Sequence, residues 1–336
     1  MIEQAIRTLC NGFDLDLRLA EASVLQIMTG QATPAQVSAF LVGLRIKGET
    51  KDEIYSFIRT LRDQARQIEV RDEEVIDLCG TGGDGKSTFN ISTISAFVAA
   101  GAGVKVAKHG NRAISSRCGS ADLIEGLGAK LLDSPARISQ AIEELGMGFM
   151  YAPYFHPTMK NVQSVRREIG VRTIFNLLGP LINPAGIKRQ LIGFFNEKVL
   201  RKVAEVIRKL GGERYLLVHS KDGLDEISIF APTVGYLVEK DNLKEIEIIP
   251  EDYGFYSREA SLQVNSLQEN LQILYRLLAG EYSIYRDIVL LNAAAAIYVS
   301  GKASDLKEGI EMARDSIDSG KARQKLTDFV RFHQEA

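Results

Sequence analysis

The stretch Asp77-Leu78-Cys79-Gly80-Thr81-Gly82-Gly83-Asp84-Gly85-Lys86-Ser87-Thr88-Phe89-Asn90-Ile91-Ser92-Thr93 decides how this 336-residue chain is read. A short apolar run at residues 75–78 ends in a glycine-rich loop, and a helical pattern at residues 91–100 follows. Strand, glycine loop and helix in that order open a βαβ unit. Residues 80–87 spell G-x-x-x-x-G-K-[ST], the P-loop string. Glycines let backbone N–H groups converge on an anion ahead of a helix, so the string argues for phosphate binding more than for ATP. No later strand of four apolar residues ends in a magnesium-binding Asp; Leu216-Leu217-Val218 runs into His219 and Ser220. A P-loop NTPase is therefore the weaker reading.

Outward from this unit the alternation continues. Apolar runs at residues 104–107, 149–151, 190–194 and 215–218 alternate with helical stretches at 122–127, 135–145 and 197–209. The pattern predicts an α/β fold with a mostly parallel central sheet flanked by helices. The first 67 residues read as helix throughout. Thr33 caps a helix with Pro34 at its first position that stops near Gly48, and Thr50 with Glu53 forms a capping box for a helix to about residue 66. Ile54, Phe57, Ile58 and Leu61 share one face of it. Three further helices, at 287–300, 304–318 and 321–333, close the chain. The expectation is a small all-helical domain beside a larger α/β domain. Ligands of such a sheet bind beyond the carboxyl ends of its strands, near a topological switch point.

Composition narrows the function. The 41 Lys+Arg and 43 Asp+Glu give a net charge of −2, which leaves no basic excess for a nucleic-acid backbone. Three cysteines without a CxxC spacing exclude a disulfide framework and a Cys-rich zinc site. No targeting signal is read at the N-terminus, and the most apolar stretch, residues 288–299, is too short to span a bilayer. The expected location is the cytoplasm, with no membrane partner. Trp is absent, and ten of the 29 glycines fall between residues 80 and 128, where backbone must approach something closely.

A second loop follows residues 104–107: Lys108-His109-Gly110-Asn111-Arg112-Ala113-Ile114-Ser115-Ser116-Arg117-Cys118-Gly119-Ser120-Ala121-Asp122. Two anion-binding loops on nearby strands suggest a ligand with more than one phosphate group. Here the sequence resembles the anthranilate phosphoribosyltransferases. The likeness rests on G-T-G-G-D (80–84), T-F-N-I-S-T (88–93), K-H-G-N-R (108–112), G-S-A-D (119–122) and H-P-T-M-K (156–160). It extends through V-R-R-E-I-G-V-R-T-I-F-N-L-L-G-P-L (165–181), D-G-L-D-E (222–226) and L-N-A-A-A-A (291–296), in order and along nearly the whole chain. Thr158 stands where Ala is commoner in the family.

The resemblance implies a reaction: the 5-phosphoribosyl group of phosphoribosyl pyrophosphate (PRPP) passes to the amine of anthranilate and pyrophosphate leaves, the second step of tryptophan synthesis from chorismate. It also implies a helical domain of residues 1–67 with about 160–185, an α/β domain of 73–159 and 186–336, and homodimerisation. For PRPP it implies Gly80, Gly82, Gly83, Asp84, Thr88, Asn90, Ser92, Thr93, Lys108, Ser116 and Ser120. Ser120 has a plain helix N-cap as its alternative. Ser92, Asp225 and Glu226 would hold Mg²⁺, two ions per subunit, an oxygen-ligand chemistry that usually shares the metal with substrate phosphates. Gly80, Asn111 and Arg166 would receive anthranilate, whose carboxylate suits a guanidinium fork. His109 and His156 line the site, with a structural hydrogen bond as open a role as proton transfer. Contact with an anthranilate synthase partner is left undecided. Two other readings stand beside this one: a pyrimidine nucleoside phosphorylase of the same fold, and a non-catalytic relative that binds nucleic acid or a nucleotide.

Overall fold

The computed structural model describes residues 1–113, 118–256 and 261–335. Four helices come first: α1 (Ile2–Cys10), α2 (Leu17–Met28), α3 (Pro34–Lys47) and α4 (Lys51–Asp63). The expected box at Thr50 forms, and the expected cap at Thr33 is a box as well. The Thr33 hydroxyl accepts from the Gln36 N–H at 3.3 Å while the Gln36 side chain accepts from the Thr33 N–H at 3.0 Å. Thr50 and Glu53 reciprocate in the same way. Glu53 is fully buried and does more than cap: it also accepts from the Leu15 N–H at 2.9 Å and pairs with Lys47 at 2.8 Å. One carboxylate thereby ties three segments of the helical unit together.

The α/β part follows as β1 (Ile76–Gly80), α5 (Ile91–Gly101), β2 (Val106–Gly110), α6 (Ser120–Gly126), α7 (Pro135–Leu145), β3 (Met147–Tyr151) and α8 (Ala152–Phe155). The chain then gives α9 (Lys160–Ile169) and α10 (Phe175–Leu178) before β4 (Arg189–Gly193), α11 (Leu200–Lys209) and β5 (Arg214–Ser220). It ends with β6 (Thr233–Glu239), β7 (Asn242–Ile248), α12 (Leu267–Leu278), α13 (Ile284–Ser300), α14 (Leu306–Asp318) and α15 (Lys321–Gln334).

Among the described residues seven strands form one sheet in the order β3-β2-β1-β4-β5-β6-β7, the first five parallel and the last two antiparallel. Strand residues alternate between two cores. Ile76, Leu78, Val106, Leu191, Leu216 and Val218 pack with α5, α12, α13, α14 and α15 on one face. Ile192, Tyr215, Leu217 and Val238 on the other face join α11 in a core that continues into α1–α4, α9 and α10. Helices α9 and α10, from mid-chain, pack in the same core as α1–α4, and that core is continuous with the sheet.

Hairpin β6–β7 and helix α12 were not expected. β7 is mostly exposed and rich in charge, so no apolar alternation marks it. The β6–β7 turn holds Lys240 at φ +51, a left-handed conformation without the usual glycine or asparagine signal. Helix α12 did carry a signal, Ser266 with Glu269 three residues on: the Ser266 hydroxyl accepts from the Glu269 N–H at 3.1 Å.

The strand order matters for function. From β1 the chain steps outward through β2 and β3, then returns to place β4 on the other side of β1. The crevice at the carboxyl ends of β1 and β4 is the switch point, and both glycine-marked strand ends open there.

Candidate active site

β1 and β4 run in register to a pair of glycines, Gly80 opposite Gly193. Both are needed because the loop after β5 drops into the crevice. A Cβ on Gly80 would lie 2.3 Å from Asp225 Oδ2, and one on Gly193 only 1.6 Å from the Asp225 carbonyl oxygen. Gly82, Gly83 and Gly85 hold φ of +71, +81 and +75, conformations that favour glycine. The loop is pinned by Thr81, whose N–H donates to Gly193 O at 2.9 Å and whose hydroxyl accepts from the Phe195 N–H at 3.2 Å.

This is not P-loop geometry. Helix α5 starts at Ile91, four residues after Ser87, and in between Thr88 bridges Gln263 in an antiparallel pairing. Phe89 N–H donates to Leu262 O and Val264 N–H to Ser87 O, so the loop is strapped to the segment before α12 rather than running into a helix.

The carboxylates converge as one group. Asp225 is buried, and its Oδ2 accepts from the Gly82 N–H at 2.6 Å. Burial, with the Asp84 carboxyl within hydrogen-bonding reach, pushes Asp225 up to about 7. Burial and the Asp225 charge push Glu226 well above the usual carboxylate range, against the pull of Lys108 and of the Ser92 N–H, which donates to it. Lys108, 1% exposed, donates from Nζ to Leu78 O at 2.6 Å and to Ser92 Oγ at 3.2 Å. Ser92 in the first turn of α5 thus meets Glu226 through its backbone and Lys108 through its hydroxyl. The structure brings Ser92, Lys108, Asp84, Asp225 and Glu226 to one place.

Acidic groups held near neutrality by burial and mutual repulsion are sites where a cation would lower the energy. Their oxygen donors fit Mg²⁺. Among the described residues no three His, Cys, Asp or Glu side chains are arranged as a metal cage. Mg²⁺ bound through one or two carboxylates usually takes its other oxygens from substrate phosphates and water.

Other candidates differ in what they have left to offer. The Asn90 amide donates to Cys118 O at 3.1 Å, and its N–H donates to the buried Asn270 side chain at 2.9 Å, so its donors serve the scaffold. Thr93 is fully buried and its hydroxyl has no partner among the described residues. Ser120 is the first residue of α6, not its cap; its hydroxyl donates to Asn111 O at 3.3 Å. The cap is Gly119, and Asp122 accepts from the N–H groups of Gly119 and Ala113. Asn111 is exposed, with its side-chain oxygen accepting from the Arg112 N–H. Ser116 lies outside the described residues.

On the helical side of the crevice, His109 and His156 face each other with ring centroids 5.1 Å apart. His109 donates to the Gly179 carbonyl and His156 to that of Ile182, and the Nε2 atoms have no partner among the described residues. Burial is the main cause that holds His109 well below its usual range and lowers His156 to about 4. Both are neutral at pH 7, each offering a bare Nε2 lone pair. Arg166 on α9 is half-buried, and burial lowers its pKa. Its guanidinium lies over the Phe175 ring at 5.3 Å, and burial alone shifts it, with no carboxylate pairing with it among the described residues. A half-buried cation with no acid partner is ready for an anionic ligand.

Two features were missed from sequence. Arg172, between α9 and α10, donates to the Gly83 carbonyl and stacks on Phe195 at 4.3 Å. Beneath the loop, fully buried Asp77 accepts from Asn183 at 2.9 Å and Gln190 at 3.2 Å, and burial raises it to about 6. Polar residues in a strand that reads as apolar carried the only signal for that cluster.

Comparison with known proteins gives a consistent result. Residues 3–65 match the glycosyl transferase family helical bundle domain, and residues 72–323 match the glycosyl transferase family a/b domain. An anthranilate phosphoribosyltransferase of Thermoanaerobacter sp. (strain X514) is 46% identical over 335 residues, 99% of either chain. One of Aquifex aeolicus (strain VF5) is 47% identical over 91% of this chain and 90% of its own. The solved anthranilate phosphoribosyltransferase of Thermus thermophilus superposes with a TM-score of 0.91 at 41% identity, covering 98% of this chain and 99% of its own. That of Saccharomyces cerevisiae in complex with PRPP and Mg has a TM-score of 0.90 at 27% identity, covering 100% and 98%.

Proposed function

Since the chain belongs to the anthranilate phosphoribosyltransferase family, we propose that its switch-point crevice joins PRPP to anthranilate, giving N-(5-phosphoribosyl)anthranilate and pyrophosphate. The observation that carries this reading is a carboxylate-and-lysine group at the strand ends together with Arg166 on the helical side, a half-buried cation that no carboxylate pairs among the described residues.

In this reading the amide-lined loop of Gly80, Gly82 and Gly83 receives the pyrophosphate, with Thr88, Ser92 and Lys108 around it. Ser116 and Ser120 belong to the second anion loop, which takes the 5-phosphate. The Gly82 N–H bond to Asp225 is exchanged for phosphate when the substrate arrives. Asp225, Glu226 and Ser92 would hold magnesium, which supplies charge neutralisation for the leaving pyrophosphate. Arg166 grips the anthranilate carboxylate, and Asn111 and Gly80 complete its pocket. The arylamine lone pair attacks ribose C1 as the C1–O bond to pyrophosphate breaks. The ammonium proton leaves afterwards, and the Nε2 lone pairs of His109 and His156 are available to accept a hydrogen bond from the amine. Neutral histidines suit an arylamine that needs no strong base.

The domains proposed are residues 1–67 with about 160–185, and 73–159 with 186–336. Exposed Phe13 and Ile46, 67% and 81% accessible on the helical unit, favour a homodimer through that unit. The proposed site of action is the cytoplasm, and two Mg²⁺ ions per subunit are the proposed complement.

The test is loss of anthranilate fluorescence on mixing protein, Mg²⁺ and PRPP, with a parallel assay of phosphate-dependent base release from a pyrimidine nucleoside. Loss in the first and silence in the second is expected. Nucleoside cleavage without anthranilate loss would replace this reading.

A further inference from the structure

Arg172 sits where the helical unit meets the phosphate loop. It stands between α9 and α10, yet its guanidinium donates to the carbonyl of Gly83 and rests on Phe195, the residue two beyond the end of β4. One side chain thus spans three segments: the α9–α10 connection, the β1 loop and the β4 loop. Its lever is the peptide plane. In a trans peptide the C=O of one residue and the N–H of the next point in opposite directions. With the Gly83 carbonyl held toward Arg172, the Asp84 N–H is turned the other way. Gly83, at φ +81 and without a side chain, cannot hold that orientation by itself. A Cβ there would also press to 3.3 Å of the guanidinium, so glycine and arginine fit as a pair.

We propose that Arg172 is a positioning residue for the phosphate loop: by fixing the Gly83–Asp84 peptide from the helical side, it sets the loop's affinity for a pyrophosphate-bearing substrate. The role requires the guanidinium's geometry and its Phe195 platform, not merely its charge. It rests on the assignment of the glycine loop to pyrophosphate made above.

Steady-state kinetics on Arg172→Ala, Arg172→Lys and Phe195→Ala, by loss of anthranilate fluorescence, test it, with calorimetry of magnesium pyrophosphate binding alongside. In Arg172→Ala the KM for PRPP and the Kd for pyrophosphate are expected to rise about 10- to 100-fold, the scale of one hydrogen bond to a charged group. The KM for anthranilate should stay within about twofold, since ground-state binding of the second substrate is untouched. Arg172→Lys, which keeps a donor but loses the planar stack, should recover part of the loss, and Phe195→Ala should show a smaller rise in the same constant. Full recovery in Arg172→Lys with an unchanged Phe195→Ala would make Arg172 a direct phosphate ligand and overturn the positioning role. Equal rises in both KM values would overturn it too. A wild-type protein that leaves anthranilate untouched would instead remove the underlying assignment.

Discussion

Replacing Gly193 by alanine probes how the site is built. Gly193 ends β4 and is assigned no contact with substrate, but the Asp225 backbone crosses directly over it. The added Cβ would fall 1.6 Å from the Asp225 carbonyl oxygen, 2.3 Å from its carbonyl carbon and 3.1 Å from the Glu226 nitrogen. Ordinary non-bonded contact lies near about 3.5 Å, so the Asp225 backbone must retreat by about 2 Å. Backbone cannot swing aside as a side chain does, and both carboxylates move with it. The 2.6 Å bond from the Gly82 N–H and the Ser92 N–H bond to Glu226 are lost. Overpacking of this kind costs about 1–3 kcal/mol of stability. A displacement of only about 1 Å at a reacting centre costs about 100-fold in rate, so kcat/KM should fall by at least about that factor. The assay is anthranilate fluorescence with magnesium titrated, in which half-saturation should rise about tenfold, as about 1.4 kcal/mol of lost coordination requires. Gly235→Ala is the control: its Cβ would meet the Leu217 carbonyl at 1.9 Å, a comparable clash on β6. It should lower the melting temperature without shifting magnesium half-saturation. A Gly193→Ala enzyme with wild-type magnesium dependence would refute the claim that this glycine seats the metal carboxylates.

Three further outcomes follow from the same geometry. Arg166→Ala should raise the KM for anthranilate by about 10- to 100-fold, the worth of a charge-assisted pair, while leaving that for PRPP unchanged; equal changes would count against Arg166 as the carboxylate reader. Asp225→Asn should abolish normal magnesium dependence yet stabilise the ligand-free protein at pH 8, by about 4 kcal/mol at most, because a buried acid raised to about 7 is costly to ionise; a lower melting temperature would contradict this. For Asp77 the folded pKa of about 6 lies above the unfolded one, so the native state holds the proton longer. Its contribution therefore favours folding at pH 4 and is lost as pH rises to 6, by about 3 kcal/mol at most. Denaturant midpoints of Asp77→Asn against wild type across that range should show the difference; parallel profiles would exclude it.

How far the sequence could be read depended on whether a signal was local. Thr33 with Pro34 and Thr50 with Glu53 carry their helix starts within four residues, and both caps form, the first with Gln36 closing a box that was not read. The five parallel strands were visible because they are buried on both faces and read as continuous apolar runs. Hairpin β6–β7 was not, since β7 faces solvent and its turn at Lys240 lacks glycine. At the site, residue types that phosphate chemistry demands stood out in the loops. Convergence did not: nothing local says that Asp225 crosses Gly193, or that Ser92 touches Lys108 and Glu226 together. Arg172 was hidden for the same reason, its partners being the backbone of a distant loop and an aromatic face. The P-loop string misleads in the opposite sense, because the pattern records glycines and a lysine but not where the next helix begins.

The central claim is that one crevice breaks the bond from ribose C1 to pyrophosphate only as the bond to the anthranilate nitrogen forms. The most direct measurement is pyrophosphate release set against anthranilate consumption in the same reaction, with and without Mg²⁺. The account predicts one pyrophosphate for each anthranilate consumed, and neither when magnesium is chelated. Pyrophosphate released without loss of anthranilate, or no release from folded protein supplied with both substrates and metal, would contradict it.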